Sequence, residues 1–94
     1  MGKAVYKVEG GKMIKVALTQ RDGKIEWLKI TGDFFLHPED LIEEMERILI
    51  SSSIEESDIS NSIEGLMKKR NGTLVGVAPA DIARCIMMAG DSDG

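Results

Sequence analysis

The residues that could carry out chemistry cluster in the stretch ITGDFFLHPED at positions 30–40. This stretch contains the only histidine of the chain, His37, with carboxylates nearby at Asp33, Glu39 and Asp40. A histidine beside a carboxylate can act as a general base, but it needs a nucleophile or another reacting group within reach. The sequence places no suitable serine or cysteine there, and a histidine before a helix is more typical of a cap. We therefore predict no catalytic residue in this chain.

Two further motifs carry weaker chemical signals. The segment GGK at 10–12 is similar to part of a phosphate-binding loop, but it lacks the preceding glycine, the following Ser/Thr and the following helix. We interpret it as the turn of a strand hairpin with Lys12 at its base. The single cysteine, Cys85, has apolar neighbours, which predicts a small core residue rather than a reactive thiol. The spacing of the acidic residues indicates a solvated helix face and no metal site.

Phe34 and Phe35 are adjacent in a chain that has only four aromatic residues. Neighbouring residues of an extended segment point to opposite sides, so one ring can enter the core while the other needs a different partner. Two explanations remain open: a helix of the same domain covers the second ring, or this ring anchors an interface. Gly32 and Asp33 predict a turn immediately before the two rings.

The length and composition indicate one small globular domain. A chain of 94 residues, 30% charged and 43% apolar, supports one domain with a modest core. We assign this domain to residues 1–90. The tail DSDG at 91–94 is predicted to be disordered. No apolar run reaches the roughly 18 to 20 residues that cross a bilayer, and the N-terminal segment has no signal core. We therefore expect a cytoplasmic protein without membrane contact.

Charge is distributed unevenly along the chain. Residues 1–31 contain seven Lys/Arg and three Asp/Glu, whereas residues 32–94 contain five and thirteen. A basic sheet can bind nucleic acid, but lysines that alternate along strands are also typical of a solvated sheet face. Nucleic-acid binding is therefore the less favoured interpretation.

The first third of the chain has the alternation of strands. We predict strands at 3–8, 12–20 and 24–31, joined by the turns Gly10-Gly11 and RDG. In the third strand Ile25 and Trp27 share one parity, whereas Leu28 and Ile30 share the other. This change of face predicts a β-bulge or a strand covered on both sides.

After Phe35 the apolar period changes to that of helices. The first helix is predicted to begin at Pro38 with His37 as its cap, and to bury a stripe of Leu41, Met45, Ile48 and Leu49. A second helix is predicted from about 55 or 58 to 69, and a third from Pro79 to about Ala89. The resulting fold class is α+β, a small antiparallel sheet of about three strands followed by three helices on one face.

The order of motifs resembles the accessory domain of lipoate-protein ligases. The matching features are GGK, the D-G turn, ITGDFF, the Pro-Glu-Asp helix start and LVGVAPADIA, which together cover residues 5–89. The sequence departs from the family pattern at Glu9, where a proline is common, and at residues 51–53, where a glycine often closes the helix. In many ligases this domain is C-terminal, and in a split form known in archaea it is a separate small subunit.

The resemblance implies a function for the chain as a subunit. In this family lipoate and ATP give lipoyl-AMP, and the lipoyl group then moves to a lysine of an acceptor domain of a 2-oxoacid dehydrogenase or glycine-cleavage protein. Lipoate, ATP and Mg act in the catalytic subunit, so this chain is expected to bind no cofactor and to have no activity alone. The accessory domain is needed chiefly for the activation step.

The resemblance also suggests which residues meet the catalytic subunit in a heterodimer. We predict that Gly32, Asp33, Phe34 and Phe35 form this contact, with His37 at its edge. Lys12 is a further candidate, as a positive group near the nucleotide or the partner. The competing hypothesis is a free-standing interaction or regulatory module that binds RNA through its basic strands.

Overall fold

The computed structural model describes residues 1–93 and has an α+β fold, as predicted. The elements in chain order are β1 (Gly2–Lys7), β2 (Met13–Arg21), β3 (Lys24–Gly32), β4 (Phe35–His37), α1 (Leu41–Leu49), α2 (Glu56–Lys69), β5 (Thr73–Val75) and α3 (Pro79–Ser92). The strands β1, β2 and β3 form an antiparallel sheet with β2 at its centre. A second, two-stranded antiparallel sheet of β4 and β5 was not predicted.

The predicted change of face in β3 arises from a β-bulge. Thr19 pairs with Trp27, but the next residue of β2, Gln20, pairs with Ile25, so Glu26 is the extra residue of β3. The inserted residue shifts the alternation by one position. As a result Ile25 and Leu28 both point into the core.

The three helices cover one face of the three-stranded sheet. Helix α3 packs on β1 and β2, α1 packs on β3, and α2 packs against α3. The sheet contributes alternate residues such as Ile14, Val16 and Leu18, which are almost fully buried. None of the helices in residues 1–93 is long and apolar enough to cross a membrane.

Helix α1 differs from its prediction at its start. It begins at Leu41 rather than Pro38, and His37 is the last residue of β4 instead of the cap. The reason is tertiary, because the backbone of His37 remains extended to pair with Thr73 of β5. Asp40 occupies the N-cap position.

The buried stripe of α1 is narrower than predicted. Leu41, Met45 and Leu49 are fully buried, but Ile48 is 41% exposed. Glu46 instead lies towards the sheet, where its carboxylate accepts the backbone N–H of Ile30 at 2.7 Å. That N–H belongs to the edge strand β3, so a helix carboxylate satisfies a donor that the sheet leaves open.

The C-terminal tail is ordered through residue 93, contrary to the prediction. Helix α3 continues to Ser92, and Asp93 accepts the backbone N–H of Gln20 at 3.0 Å. The N-terminal ammonium lies 3.0 Å from the Asp93 carboxylate and, with the N–H of Gln20, lowers the pKa of this side chain. These polar contacts hold the tail against the sheet. Gly94, the last residue of the predicted tail, lies outside the described residues.

Cys85 is a core residue, as predicted. Its side chain is fully buried on α3, and the thiol lies 3.6 Å from the carbonyl oxygen of Ile14 and 3.7 Å from that of Ala4. Burial raises the pKa of the Cys85 thiol from 9.0 to about 11, although nearby backbone groups act in the opposite direction. The native state therefore favours the neutral thiol.

This pKa difference predicts an alkaline loss of stability. The unfolded thiol ionises from about pH 9, whereas the folded thiol resists until about pH 11. The free energy of unfolding should therefore fall across this interval by about 2 kcal/mol more in the wild-type protein than in Cys85→Ala. Urea titrations of both proteins across this range measure the difference. If the free energy of unfolding falls with pH at the same rate in both proteins, the ionisation of Cys85 does not contribute.

Candidate partner interface

Three sequence motifs that are far apart in the chain meet at one end of the molecule. The backbone N–H of Lys12, in GGK, donates to the carbonyl oxygen of Gly76, in LVGVAPADIA, at 3.1 Å. The carboxylate of Asp33, in ITGDFF, accepts the N–H of Met13 at 2.7 Å, and the Asp33 N–H donates to the Met13 carbonyl at 3.3 Å. The hairpin base is thus the point at which the three motifs are joined.

The two-stranded sheet connects the same motifs a second time. Phe35 pairs with Val75, and Leu36 pairs with Leu74. Leu36 points into the core, so its neighbours on β4 must point away from it. Phe35 and Val75 consequently lie on the outer face, and each is 55% exposed.

The environments of the two phenylalanines exclude one of the alternatives left open by the sequence. Phe34 is partly buried and packs against the hydrophobic core. Phe35 is exposed, and no helix in residues 1–93 covers its ring. The explanation in which a helix of the same domain covers the second ring is therefore wrong.

The exposed ring of Phe35 belongs to a small patch that we call the Phe35 patch, made of Phe35, His37 and Val75. The rings of Phe35 and His37 are stacked, with centroids 6.4 Å apart and planes inclined by 5°. Residues two apart on a strand share a face, which is why these rings meet. The two rings therefore form one continuous aromatic surface.

An open cleft lies beside the Phe35 patch. Its volume is about 330 Å³, and it is lined by the apolar residues Ile30, Phe34, Leu36 and Ile42 and by Thr31, Gly32, Phe35 and Glu39. Its walls are mainly apolar, and Glu39 and Thr31 supply polar groups. A cleft of this kind can receive an apolar side chain of another protein.

Glycine is required at two motif positions. At Gly32 an added Cβ would overlap the carbonyl oxygen of Met13 and lie 2.6 Å from the ring of Phe34. Gly76 has a φ of +97°, and an added Cβ there would lie 2.5 Å from Cγ of Lys12. Both glycines therefore allow the close approach of chain segments that builds this end of the molecule.

The structure places all six predicted site residues at this end. Gly32, Asp33 and Phe34 serve the turn and its packing, whereas Phe35 and His37 point outwards. Lys12 is exposed on the adjoining hairpin. Sequence reasoning missed two residues of this region, Val75 and Ile42. Val75 was present only as one letter of the motif LVGVAPADIA. Nothing in the sequence connects Ile42 to the cleft. Residues 1–93 contain no group of three His, Cys, Asp or Glu side chains that could hold a metal ion.

Comparison with known proteins identifies the class of this domain. Residues 5–86 match the family model described as bacterial lipoate protein ligase C-terminus. The chain therefore belongs to the family of lipoate protein ligase C-terminal domains, as its motifs predicted. Among curated proteins no match is found.

A solved structure from an archaeal lipoylation system has a similar fold. The study describes a bipartite lipoate protein ligase and its E2 lipoyl domain from Thermoplasma acidophilum. The matched chain is 30% identical, with a TM-score of 0.77, over 89% of this chain and 91% of that chain. The two chains are therefore similar in extent as well as in fold.

The role of Gly32 can be tested by stability. Gly32→Ala should lower the free energy of unfolding by about 1 to 3 kcal/mol, because the new methyl group would collide with backbone that is fixed by strand pairing. Gly65→Ala is the matched control, since a Cβ at Gly65, within α2, meets no other atom within 4 Å. It should raise stability by about 1 kcal/mol through helix propensity. A neutral effect of Gly32→Ala in urea denaturation would contradict the close approach.

Proposed function

We propose that this chain is the non-catalytic accessory subunit of a two-chain lipoate-protein ligase, required for ATP-dependent activation of lipoate to lipoyl-AMP. The observation that carries the proposal is the similarity to a chain from the bipartite Thermoplasma ligase over 89% and 91% of the two lengths. The complex is proposed to work in the cytoplasm.

In this proposal the chemistry belongs to the catalytic subunit, which binds lipoate, ATP and Mg. The lipoyl group of lipoyl-AMP then passes to a lysine of an acceptor domain. The accessory subunit acts by binding the activation-competent conformation of its partner more tightly than other conformations. Differential affinity of this kind shifts the population of the partner, and it needs no reacting group on the accessory chain.

The contact with the catalytic subunit is proposed at the Phe35 patch and the adjoining cleft. A phenylalanine side chain has only two rotatable bonds, so Phe35, whose ring stacks on His37, loses little conformational freedom on binding. Aromatic anchors next to apolar clefts are typical of the residues that dominate interface energy. Gly32, Asp33 and Phe34 shape this surface, since the Asp33 carboxylate accepts the backbone N–H of Met13 and Phe34 lines the cleft.

Lys12 has a separate proposed role. Its side chain is exposed at the hairpin that packs on Gly76. A positive charge there is proposed to face the nucleotide or the acceptor across the subunit boundary. Nucleotide phosphates attract such a group, and the attraction strengthens where the partner excludes water.

The activation role predicts the outcome of two parallel assays. Lipoate-dependent pyrophosphate release by the matching catalytic subunit should require this chain, whereas transfer from synthetic lipoyl-AMP should proceed without it. The physical reason is that only the first reaction needs the conformation stabilised by the accessory subunit. Equal pyrophosphate release with and without the chain would contradict the proposal. Lys12→Ala belongs in the same assay, and an unchanged rate would remove Lys12 from the site.

The proposed contact predicts the effect of one truncation. Phe35→Ala should weaken binding to the catalytic subunit by roughly 2 kcal/mol, about thirtyfold in Kd. Because Phe35 is exposed, the variant domain should remain folded. Calorimetric titration of the two chains measures the affinity, and thermal unfolding monitors the fold.

Met88→Ala is the matched control for Phe35→Ala. Met88 is also a large exposed apolar residue, but it lies near the C-terminal end of α3, far along the chain from the motif end. Its truncation should leave the affinity within twofold of wild type. If Phe35→Ala and Met88→Ala both bind normally while remaining folded, the contact lies elsewhere on the domain.

A further inference from the structure

The face of the three-stranded sheet opposite the helices, which we call the open sheet face, has an unusual composition. Its residues alternate with the core residues on β1, β2 and β3 and are Lys3, Val5, Lys7, Met13, Lys15, Ala17, Thr19, Arg21, Lys24, Glu26, Trp27, Lys29 and Thr31. Five of them are lysines, and the one acidic residue, Glu26, is paired with Arg21. In residues 1–93 none of these five lysines forms an ion pair.

The strand register places three of the lysines close together. Ala17 lies opposite Lys3 on one side and Lys29 on the other, and Lys15 occupies the next outward position of the central strand. Strands are about 4.8 Å apart, so the backbones of Lys3 and Lys29 are separated by about 10 Å. Lys15 is the diagonal neighbour of both Lys3 and Lys29, at roughly 7 to 8 Å, which is about one Debye length at physiological ionic strength. The three ammonium groups therefore make this part of the face positive, and an acidic partner is attracted to it.

Apolar groups lie among the lysines. Val5 is 56% exposed and Trp27 is 44% exposed. A shallow groove of about 240 Å³ runs beside Val5 and Ala17, with Lys3, Lys15 and Lys29 along its sides. Lysine stems can cover apolar surface while their ammonium groups remain in water. An apolar centre with a charged rim is the usual anatomy of a protein interface.

The open sheet face is continuous with the proposed contact for the catalytic subunit. Thr31 lines both the groove of the open sheet face and the cleft beside the Phe35 patch. A protein that lay on the open sheet face would therefore also be next to a catalytic subunit bound at the Phe35 patch. This placement suits a macromolecule that contacts both chains of the complex.

We infer that the open sheet face docks an acidic surface of the lipoyl acceptor domain. This inference rests on the proposed function. The acceptor must leave after each transfer, and charge attraction over a small apolar area gives fast, reversible association rather than a permanent contact. Residues 32–94 carry a net charge of −8, so an acidic acceptor is repelled by the remainder of the domain and attracted by this face.

A protein occupant is favoured over nucleic acid by the side chains of the face. Its one arginine, the residue type that binds phosphate in a bidentate manner, is Arg21 at the end of β2, where it lies 3.8 Å from Glu26. Trp27 is the only aromatic residue of the face for base stacking. The aliphatic residues Val5 and Ala17 match apolar side chains of a protein better than they match a sugar-phosphate backbone. RNA binding is an outcome that the experiment below distinguishes.

The test is the affinity of the apo acceptor domain for the two-chain ligase, measured by calorimetric titration. The double variant Lys15→Glu/Lys29→Glu should raise Kd by about tenfold or more, and wild-type affinity should fall as salt rises. Lys68→Glu/Lys69→Glu is the matched control, because it makes the same charge change on exposed positions of α2. It should change Kd by less than twofold.

A second measurement uses Trp27, the only tryptophan of the chain. Its fluorescence in the isolated chain should change on addition of an acceptor domain that itself lacks tryptophan, and the change should saturate. The signal should be lost in Lys15→Glu/Lys29→Glu but retained in Lys68→Glu/Lys69→Glu.

Several outcomes would overturn the inference. Docking on this face is excluded if Lys15→Glu/Lys29→Glu leaves the affinity for the acceptor unchanged. It is also excluded if the control Lys68→Glu/Lys69→Glu weakens that affinity equally. The face is assigned to RNA instead if the protein binds single-stranded RNA more tightly than the acceptor domain, in a salt-sensitive manner, and if Lys15→Glu/Lys29→Glu abolishes this binding. Pyrophosphate release measured without acceptor distinguishes the proposed activation role from the proposed acceptor docking. If the variant complex retains release, the proposed function stands while docking fails; if wild-type release never needed this chain, the proposed function itself fails.

Discussion

The three-stranded sheet can be covered on only one side, and much of the structure follows from this constraint. Three helices of 9, 14 and 14 residues bury one face, and residues 1–93 contain no further helix for the other. Core residues therefore occupy alternate positions of the strands, and the remaining positions face water. The bulge at Glu26 preserves this division, because without it Leu28 and Ile30 would turn away from the helices.

The motif end of the molecule depends on close backbone approach rather than on side-chain chemistry. The hairpin base contacts Gly76 through one hydrogen bond and the turn at Asp33 through two. Bulkier residues at Gly32 or Gly76 would separate these segments. The motifs that identify the family are thus largely explained by packing. The feature of these motifs that packing does not explain is the exposed stack of Phe35 on His37.

The two surfaces have the character of two different kinds of contact. The Phe35 patch and its cleft are compact and mainly apolar, which suits a lasting contact with a fixed partner. The open sheet face combines unpaired lysines with a small apolar area, which suits a contact that forms and dissociates with each turnover.

Local sequence determined the regular elements and the family. Period-two alternation located β1, β2 and β3 and revealed the change of face in β3, for which a bulge was one of two explanations. The change to a helical period after Phe35 located α1, α2 and α3. The motif order from GGK to LVGVAPADIA was enough to assign the lipoate-protein ligase accessory domain. These features were accessible because each depends on residues that are near one another in the chain.

Tertiary structure decided the features that depend on residues far apart. The short strands β4 and β5 have too few residues to produce a periodic signal, and their pairing kept His37 extended and moved the start of α1 to Leu41. Contacts with Gln20 and the N-terminus ordered Asp93 against the expectation of a disordered tail. The exposure of Phe35 and the burial of Phe34 were likewise fixed only by folding. Two adjacent rings look alike in sequence, and which one enters the core depends on the side of the strand to which the rest of the chain packs.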